Sequence, residues 1–146
     1  GIAIDHNRQI NQTTIFLPTL QRFLYFSPQA IQAVNGFLTS GTVYYQSSDC
    51  TGTPYIVADP NTSAYSDIQV IPIGSPAFYI IPDSATSSTI TAASTPLTNL
   101  NNNQTTCYSY QSNPNARPFA VQAYALQQVN LPFTTPLALP LKFKYQ

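Results

Sequence analysis

The chain of 146 residues contains no glutamate, and charged residues make up only 7% of it. A typical globular domain carries about 25% charged residues, so Ser, Thr, Asn and Gln must supply most of the solubility. Such a composition suits extracellular β-proteins, fibres and capsid-like assemblies better than cytosolic enzymes. Glu and Lys are also good helix formers and poor strand formers, so their scarcity predicts strands rather than helices.

The chain also has no net charge and no long apolar run. The first absence argues against binding to nucleic acid, and the second argues against insertion into a membrane. Five Lys and Arg balance five Asp, so the chain lacks the basic stripe that binds nucleic acid. No apolar run approaches the about 20 residues of a transmembrane helix, so we expect no membrane insertion. The length predicts one domain, 1–146, that is large enough to bury a core.

The pattern of residues predicts an all-β domain, a compact sandwich-like or irregular barrel with at most one short helix. Thirteen prolines are spread along the chain, and each would break a helix interior. One or two helical turns are expected near 30–34, between Ser27-Pro28 and Asn35-Gly36. The Ser/Thr/Asn-rich stretch 83–106 predicts a long loop or an irregular edge, and the most mobile region of the chain. The predicted strands cover 13–17, 22–26, 41–46, about 55–58, 68–73, 77–81, 107–110 and 119–126.

The end of the chain has the clearest strand pattern. Apolar residues occupy every second position from 137 to 145, and Lys142 and Lys144 fall on the opposite side. Pro140 cannot donate to a hydrogen-bond ladder, so we expect an edge strand or one that meets another chain. Outward lysines would protect such an edge against uncontrolled pairing.

No motif in the sequence predicts catalysis or a cofactor. His6 is the only histidine, and no GxSxG sequence accompanies the Asp5-His6 pair, so a Ser-His-Asp triad is not expected. The stretch 59–67 places oxygen side chains at alternate positions as a calcium loop does, but Ala64 and Val70 stand where the turn Gly and the bidentate Glu belong. One His and two distant Cys are too few for a metal site. We therefore expect a protein that is not an enzyme and has no metal or cofactor.

The two cysteines have two possible states. In a reducing compartment Cys50 and Cys107 would be buried thiols, whereas in an exported protein we expect them to form a disulfide. Cys50 lies between the strand-like segments 41–46 and 55–58, whose short separation predicts a β-hairpin. Asp49 and Gly52, on either side of Cys50, would shape the turn. We therefore interpret this segment as structural rather than as a reactive or binding site.

Aromatic residues are abundant and cations are few. Ten Tyr and eight Phe predict a core or a subunit interface, with exposed Tyr platforms for sugar stacking or protein contact as the alternative. In a cyclic homotrimer each cation appears three times, so a small patch becomes a charged ring or groove. Such arrays bind sulfated polysaccharide, although ordinary solvating charges remain the alternative. The candidate glycan contacts are first Arg117, Lys142 and Lys144, whose positions near strand ends favour exposure. Arg8 and Arg22 are also candidates, but they could equally be interface or structural cations.

Three segments carry a resemblance to a known family. They are YYQSSDCTGTPYI (44–56), the preceding VNGFLTSG (34–41) and, near the end, VNLPFTTPLAL (129–139). Together they resemble the C-terminal domains of exported bacterial collagen-like adhesins, such as those of Legionella, and of tail-fibre-like proteins. The similarity covers about 5–139, and its specific part is the Asp-Cys-Thr-Gly hairpin.

The resemblance implies a homotrimeric adhesin domain that is secreted or lies on the bacterial cell surface. It further implies binding to sulfated glycosaminoglycans of the host, such as heparin, and support for self-association, biofilm formation and virulence. One alternative is a structural trimerisation cap of a fibrous or phage-tail-like protein without glycan binding. A hydrolase is another alternative, which a cleft with two close Asp side chains would indicate.

Overall fold

The structure is a computed structural model that describes residues 4–7, 12–26, 33–34, 37–38, 41–58, 68–74, 77–99 and 104–132. Within these ranges the chain is all-β, as predicted, with its strands arranged in four antiparallel sheets that do not close into a barrel. The strands are β1 (Ile4–Asn7), β2 (Gln12–Leu17), β3 (Arg22–Phe26), β4 (Ala33–Val34), β5 (Phe37–Leu38), β6 (Val43–Tyr44), β7 (Tyr55–Val57), β8 (Ile71–Ile73), β9 (Ala77–Ile80), β10 (Ser88–Ala92), β11 (Ser94–Asn99), β12 (Gln104–Ser109), β13 (Phe119–Ala125) and β14 (Gln127–Val129).

The sheets are small and are linked by isolated bridges. A five-stranded sheet has the order β1-β2-β3-β5-β4, and a four-stranded sheet the order β10-β13-β7-β6. A three-stranded sheet has the order β14-β9-β8, and β11 pairs with β12. One parallel bridge joins Phe23 of β3 to Gln69, and one antiparallel bridge joins Tyr45, which follows β6, to Ser94 of β11. These two bridges connect sheets whose strands otherwise pair only within their own sheet.

The core consists of two clusters that meet at β8. The first contains Ile15, Leu17, Leu24, Val70 and Phe78, and the second contains Val43, Tyr45, Ile56, Ile71, Ile73, Ile81 and Leu126. Successive residues of an extended chain point to opposite sides. Val70 and Ile71 therefore bury their side chains in different clusters, and this one extended segment contributes to both halves of the core.

The structure confirms the predicted β-hairpin and pairs two further predicted strands, 68–73 and 77–81, with each other. The segments on either side of the cysteine-containing turn form the antiparallel pair β6–β7, in which Val43 lies opposite Ile56. The apolar segments around Gly74 form the antiparallel pair β8–β9. These strands were predictable because each has alternating or continuous apolar residues close to turn-forming residues.

For the stretch 83–106 the sequence predicted a long loop or an irregular edge, and the long loop is wrong where the structure describes strands, although β10 does lie at the edge of its sheet. The structure places β10, β11 and the start of β12 there, and Ile90, Ala92 and Ala93 are buried. Short Ala, Ser and Thr side chains occur in exposed loops, but they also fit where strands approach closely. Here they leave room for β10 to pair with β13 and for β11 to reach the end of β6.

Other predictions differ from the structure or lie outside its described part. Ala33 and Val34 form β4, which pairs with β5, so the predicted helical turn is wrong at these two residues. Residues 30–32, the alternating segment 137–145 and the candidate cations Arg8, Lys142 and Lys144 lie outside the described residues. The structure contains one chain, so homotrimer formation stays a prediction. No helix in the described part is both long and apolar enough to cross a membrane.

Candidate functional site

The turn between β6 and β7 is fixed by a disulfide. Cys50 and Cys107 are bonded, with their Cα atoms 5.7 Å apart, which confirms the predicted pairing. Cys50 adopts a left-handed conformation with φ of 58°, and Gly52 has φ of 86°. Few residues other than Gly adopt such a φ, so the turn depends on its covalent and hydrogen-bonded anchors.

Ser94 is the second anchor of this turn. Its side chain is fully buried, accepts a 3.1 Å hydrogen bond from the main-chain N–H of Cys50 and donates a 2.7 Å bond to the carbonyl of Ser47. Within the turn, the hydroxyl of Thr51 donates a 2.7 Å hydrogen bond to the carboxylate of Asp49, which lowers the pKa of Asp49. These contacts hold the backbone together, so the turn is scaffold, as the sequence suggested.

A bend at Ala93, between β10 and β11, brings three other segments together. The N–H of Ala93 donates to the carbonyl of Tyr45 at 2.8 Å, and its carbonyl accepts from the N–H of Tyr110 at 2.9 Å. In the adjoining pair of strands, Ala92 lies opposite Phe119. Aromatic residues that are far apart in the sequence therefore surround one small residue.

The result is an aromatic patch, which consists of Tyr44, Tyr108, Tyr110 and Phe119. The ring of Tyr110 lies 5.3 Å from that of Phe119 and 5.4 Å from that of Tyr108, both edge to face. Tyr44 also meets Phe119 edge to face at 5.3 Å. Phe119 is 38% exposed and the three tyrosines are half-buried, so the patch packs against itself and still faces solvent.

Polar groups lie at the border of the aromatic patch. The side-chain amide of Asn113 donates a hydrogen bond to the hydroxyl of Tyr108. Burial raises the pKa of Tyr110, and the nearby Tyr44 and Tyr108 raise it further. Arg117 is exposed, makes no ion pair with any described residue and precedes Phe119 by two positions. The surface thus combines aromatic rings with hydroxyl groups, and an exposed cation lies two positions away along the chain.

Arg22 lies away from solvent, unlike Arg117. Its residue exposure is 6%, and its guanidinium donates to the carbonyl of Ile81 at 3.0 Å and to the carboxylate of Asp83 at 2.5 Å. It also donates to two carbonyl groups beside it, those of Leu20 and Gln21. Arg22 therefore ties β3 to the segment after β9. Its charge is therefore used within the fold, which agrees with the structural role that the sequence left open for it.

A cleft of about 350 Å³ opens beside this ion pair. Its walls include Arg22, Asp83, Ile81, Ala85 and Tyr124. The carboxyl group of Asp83 is 87% exposed, although it binds a buried guanidinium. The lining of the cleft therefore combines charged, aromatic and apolar side chains.

The described residues contain no cluster of side chains that could hold a metal ion. No cluster of three or more His, Cys, Asp or Glu side chains occurs among them. Asp5 and His6 belong to β1, where they lie opposite Thr14 and Thr13 of β2. The calcium-like stretch 59–67 lies outside the described residues. Comparisons with protein-family models, curated proteins and solved structures found no match to this chain.

The aromatic patch is the feature that sequence reasoning missed. Tyr108 and Tyr110 are two positions apart on an extended segment, which places both side chains on one face. That spacing is the only local signal, because Tyr44 and Phe119 reach the patch through strand pairing. A high aromatic content indicated that such a surface could exist but did not indicate which residues form it.

Proposed function

We propose that this chain is a non-enzymatic extracellular adhesin domain that binds sulfated polysaccharide, such as a host glycosaminoglycan. The observation that carries the proposal is the half-exposed aromatic patch, with the exposed Arg117 two positions before Phe119 in the chain. The C–H faces of a sugar ring pack on aromatic rings, and a guanidinium pairs with a sulfate through two parallel hydrogen bonds. Both chemical parts of a sulfated sugar thus find a complementary group.

One exposed arginine supplies little affinity in a chain with no net charge, so the proposal includes self-association. In a homotrimer the patch and Arg117 occur three times, and a long polysaccharide can occupy several copies at once. Arg8, Lys142 and Lys144 remain candidates for the same charged surface. A polymer that bridges several domains would also favour the aggregation of cells that carry them.

The disulfide supports an extracellular setting for this function. Cys50 and Cys107 are bonded to each other, and the described part of the chain has no free cysteine. Disulfides of this kind persist in oxidising compartments and are rare in the cytosol. Secretion or display on a bacterial surface fits this chemistry.

The test is retention on immobilised heparin as sodium chloride increases. We expect binding at low salt that is lost at moderate salt, because screening weakens contacts between exposed charges.

Arg117→Gln should elute at lower salt than the wild type, while Arg117→Lys keeps the charge and should elute between the two. Phe119→Ala should also weaken retention, and Leu97→Ala is its matched control because Leu97 is an exposed apolar residue outside the patch. Wild-type protein in the flow-through at low salt would exclude the proposal.

A structural trimerisation cap without glycan binding is the second candidate. The half-exposed aromatic patch favours it, since aromatic residues are also enriched at the centre of subunit interfaces. Light scattering separates the two functions. If the patch is an interface, Phe119→Ala should reduce the oligomer to a smaller species, and the wild-type oligomer should not bind heparin.

A further inference from the structure

The cleft beside Arg22 and Asp83 has the features of a second, separate binding site. Arg22 and Asp83 are the charged side chains among its lining residues, and apolar groups such as Ile81, Pro82 and Ala85 complete it. Its volume of about 350 Å³ is near the lower limit of small-molecule pockets, which span roughly 300 to 1,000 Å³. A cleft of this size accommodates one sugar ring or a molecule of similar size.

The charges of the cleft select a neutral ligand. The guanidinium of Arg22 and the carboxylate of Asp83 lie 2.5 Å apart and compensate each other. An anion would meet the exposed carboxylate of Asp83, and a cation would have to compete with Arg22 for it. An uncharged ligand avoids both penalties and leaves the ion pair intact.

The ion pair also holds the carboxylate in position for hydrogen bonding. Asp83 lies in a turn that is closed by a 2.9 Å hydrogen bond from the N–H of Ala85 to the carbonyl of Pro82. Its Oδ1 binds the buried Arg22, so the side chain is oriented even though it is 87% exposed. A carboxylate that is fixed in this way loses little conformational entropy when it binds a ligand.

The lining residues match the two kinds of surface on a sugar. A carboxylate accepts hydrogen bonds from neighbouring hydroxyl groups, and such charge-assisted bonds are stronger than neutral ones. Tyr124 offers an aromatic ring and a hydroxyl, while Ile81 and Pro82 offer apolar surface to C–H groups. We propose that this cleft binds a single neutral hexopyranose, independently of the sulfated polysaccharide assigned to the aromatic patch.

The test is an NMR titration of the full ¹⁵N-labelled chain with the methyl α-pyranosides of glucose, mannose and galactose. We expect at least one of them to shift the amide signals of Asp83, Ala85 and Tyr124, with a Kd on the order of 1 mM for a ligand of this size. The Kd should be unchanged at about 0.5 M sodium chloride, since the ligand is uncharged. Heparin binding at the aromatic patch depends on salt, so failure of either proposal can be recognised separately.

Two variants test whether the cleft itself is responsible. Ala85→Leu adds volume to the lining of the cleft, leaves both charged residues in the sequence and should abolish the shifts. Asp83→Asn keeps the shape but loses the charge, and should weaken binding about five- to tenfold. Asp49→Asn is the matched control, because it removes an exposed carboxylate in the turn of the disulfide, and it should leave the Kd unchanged.

Several results would overturn the proposal. One is the absence of any shift in the cleft amides at about 50 mM of each sugar, well above the expected Kd. Another is equal weakening by Asp49→Asn and Asp83→Asn. Identical shifts with the linear polyol sorbitol would show that the cleft does not recognise a ring. Undiminished binding to a folded Ala85→Leu variant, with an otherwise unchanged spectrum, would place the ligand elsewhere.

Discussion

The main-chain N–H of Cys50 lies 3.1 Å from the hydroxyl oxygen of Ser94, and this hydrogen bond attaches the turn after β6 to β11. The disulfide attaches the same residue to Cys107 on β12, the partner strand of β11. Cys50 is therefore connected to both strands of one pair, by a covalent bond and by a hydrogen bond. This double attachment keeps its backbone in the left-handed region, which costs a residue other than glycine about 1 kcal/mol or more.

Removal of the disulfide should destabilise the domain strongly. The bond closes a loop with a sequence separation of 57 residues, and in the chain-entropy model a loop of this length is worth about 4 kcal/mol. The Cys50→Ala/Cys107→Ala variant should lose this amount in urea unfolding. Reduced wild-type protein is the control and should show the same loss. A decrease of less than about 1 kcal/mol would mean that the remaining contacts already hold the turn in the unfolded chain.

Ser94→Ala should lower the free energy of unfolding by about 1 to 3 kcal/mol. It leaves the partly buried N–H of Cys50 and carbonyl of Ser47 without their hydrogen-bond partner. The measurement is the free energy of unfolding in urea. Ser88→Ala, at an exposed position of β10, is the control and should change this free energy by less than about 0.5 kcal/mol. Equal effects of the two substitutions would contradict the role given to Ser94.

The sequence predicted the strands that carry large apolar residues and failed where the chain uses small ones. Thr13–Leu17, Arg22–Phe26 and Ala77–Ile81 are close to β2, β3 and β9, because β-branched and aromatic residues beside turn residues are a local signal. Ser94 belongs to a segment that reads as a polar loop. Its hydroxyl bonds to Cys50 and Ser47 in the turn after β6, which lie 44 and 47 positions away in the sequence.

The candidate site was predictable to a smaller extent. The disulfide followed from the presence of only two cysteines, since an exported chain offers no other pairing. The sequence ranked Arg117 above Arg22 as a glycan contact, because a position near a strand end favours exposure, and it left a structural role open for Arg22. It did not indicate which groups Arg22 would contact. Only the fold shows that Asp83 and the carbonyl of Ile81 reach Arg22, whereas Arg117 stays exposed.

Leu24→Ala should destabilise the domain by about 2 to 5 kcal/mol, since Leu24 has no exposed surface in the first core cluster and its truncation leaves a cavity. Leu97→Ala makes the same chemical change at a residue that is 50% exposed and should cost less than about 0.5 kcal/mol. Urea unfolding of both variants gives the comparison. A small effect at Leu24 would mean that the first cluster is not a packed core.

Asp49 should titrate below its ordinary pKa of 3.8, because the hydroxyl of Thr51, and then that of Ser47, stabilise the ionised carboxylate. A lowered pKa in the folded state contributes stability that is complete above the unfolded pKa and is lost as the pH falls through the folded pKa. Thr51→Val should move the pKa of Asp49 up towards 3.8, as measured by carboxyl ¹³C NMR. The exposed Thr53→Val is the control. An unchanged pKa in Thr51→Val would rule out the Thr51 hydroxyl as the cause.

Tyr110 should ionise above its ordinary pKa of 10.0, first because it is partly buried and second because Tyr44 lies beside it. Because the folded state disfavours the charged phenolate, the folded protein is most stable when Tyr110 is neutral. This contribution to stability is complete below the unfolded pKa and is lost as the pH rises through the folded pKa. Phe119→Ala uncovers the ring and should lower the pKa of Tyr110 in a ¹³C NMR titration, while Leu97→Ala should leave it unchanged. A bound heparin fragment should raise it further, since a ligand on the patch excludes water from the phenol and places sulfate charge near the phenolate. A pKa that responds to neither Phe119→Ala nor heparin would contradict both the packing of the patch and its proposed use.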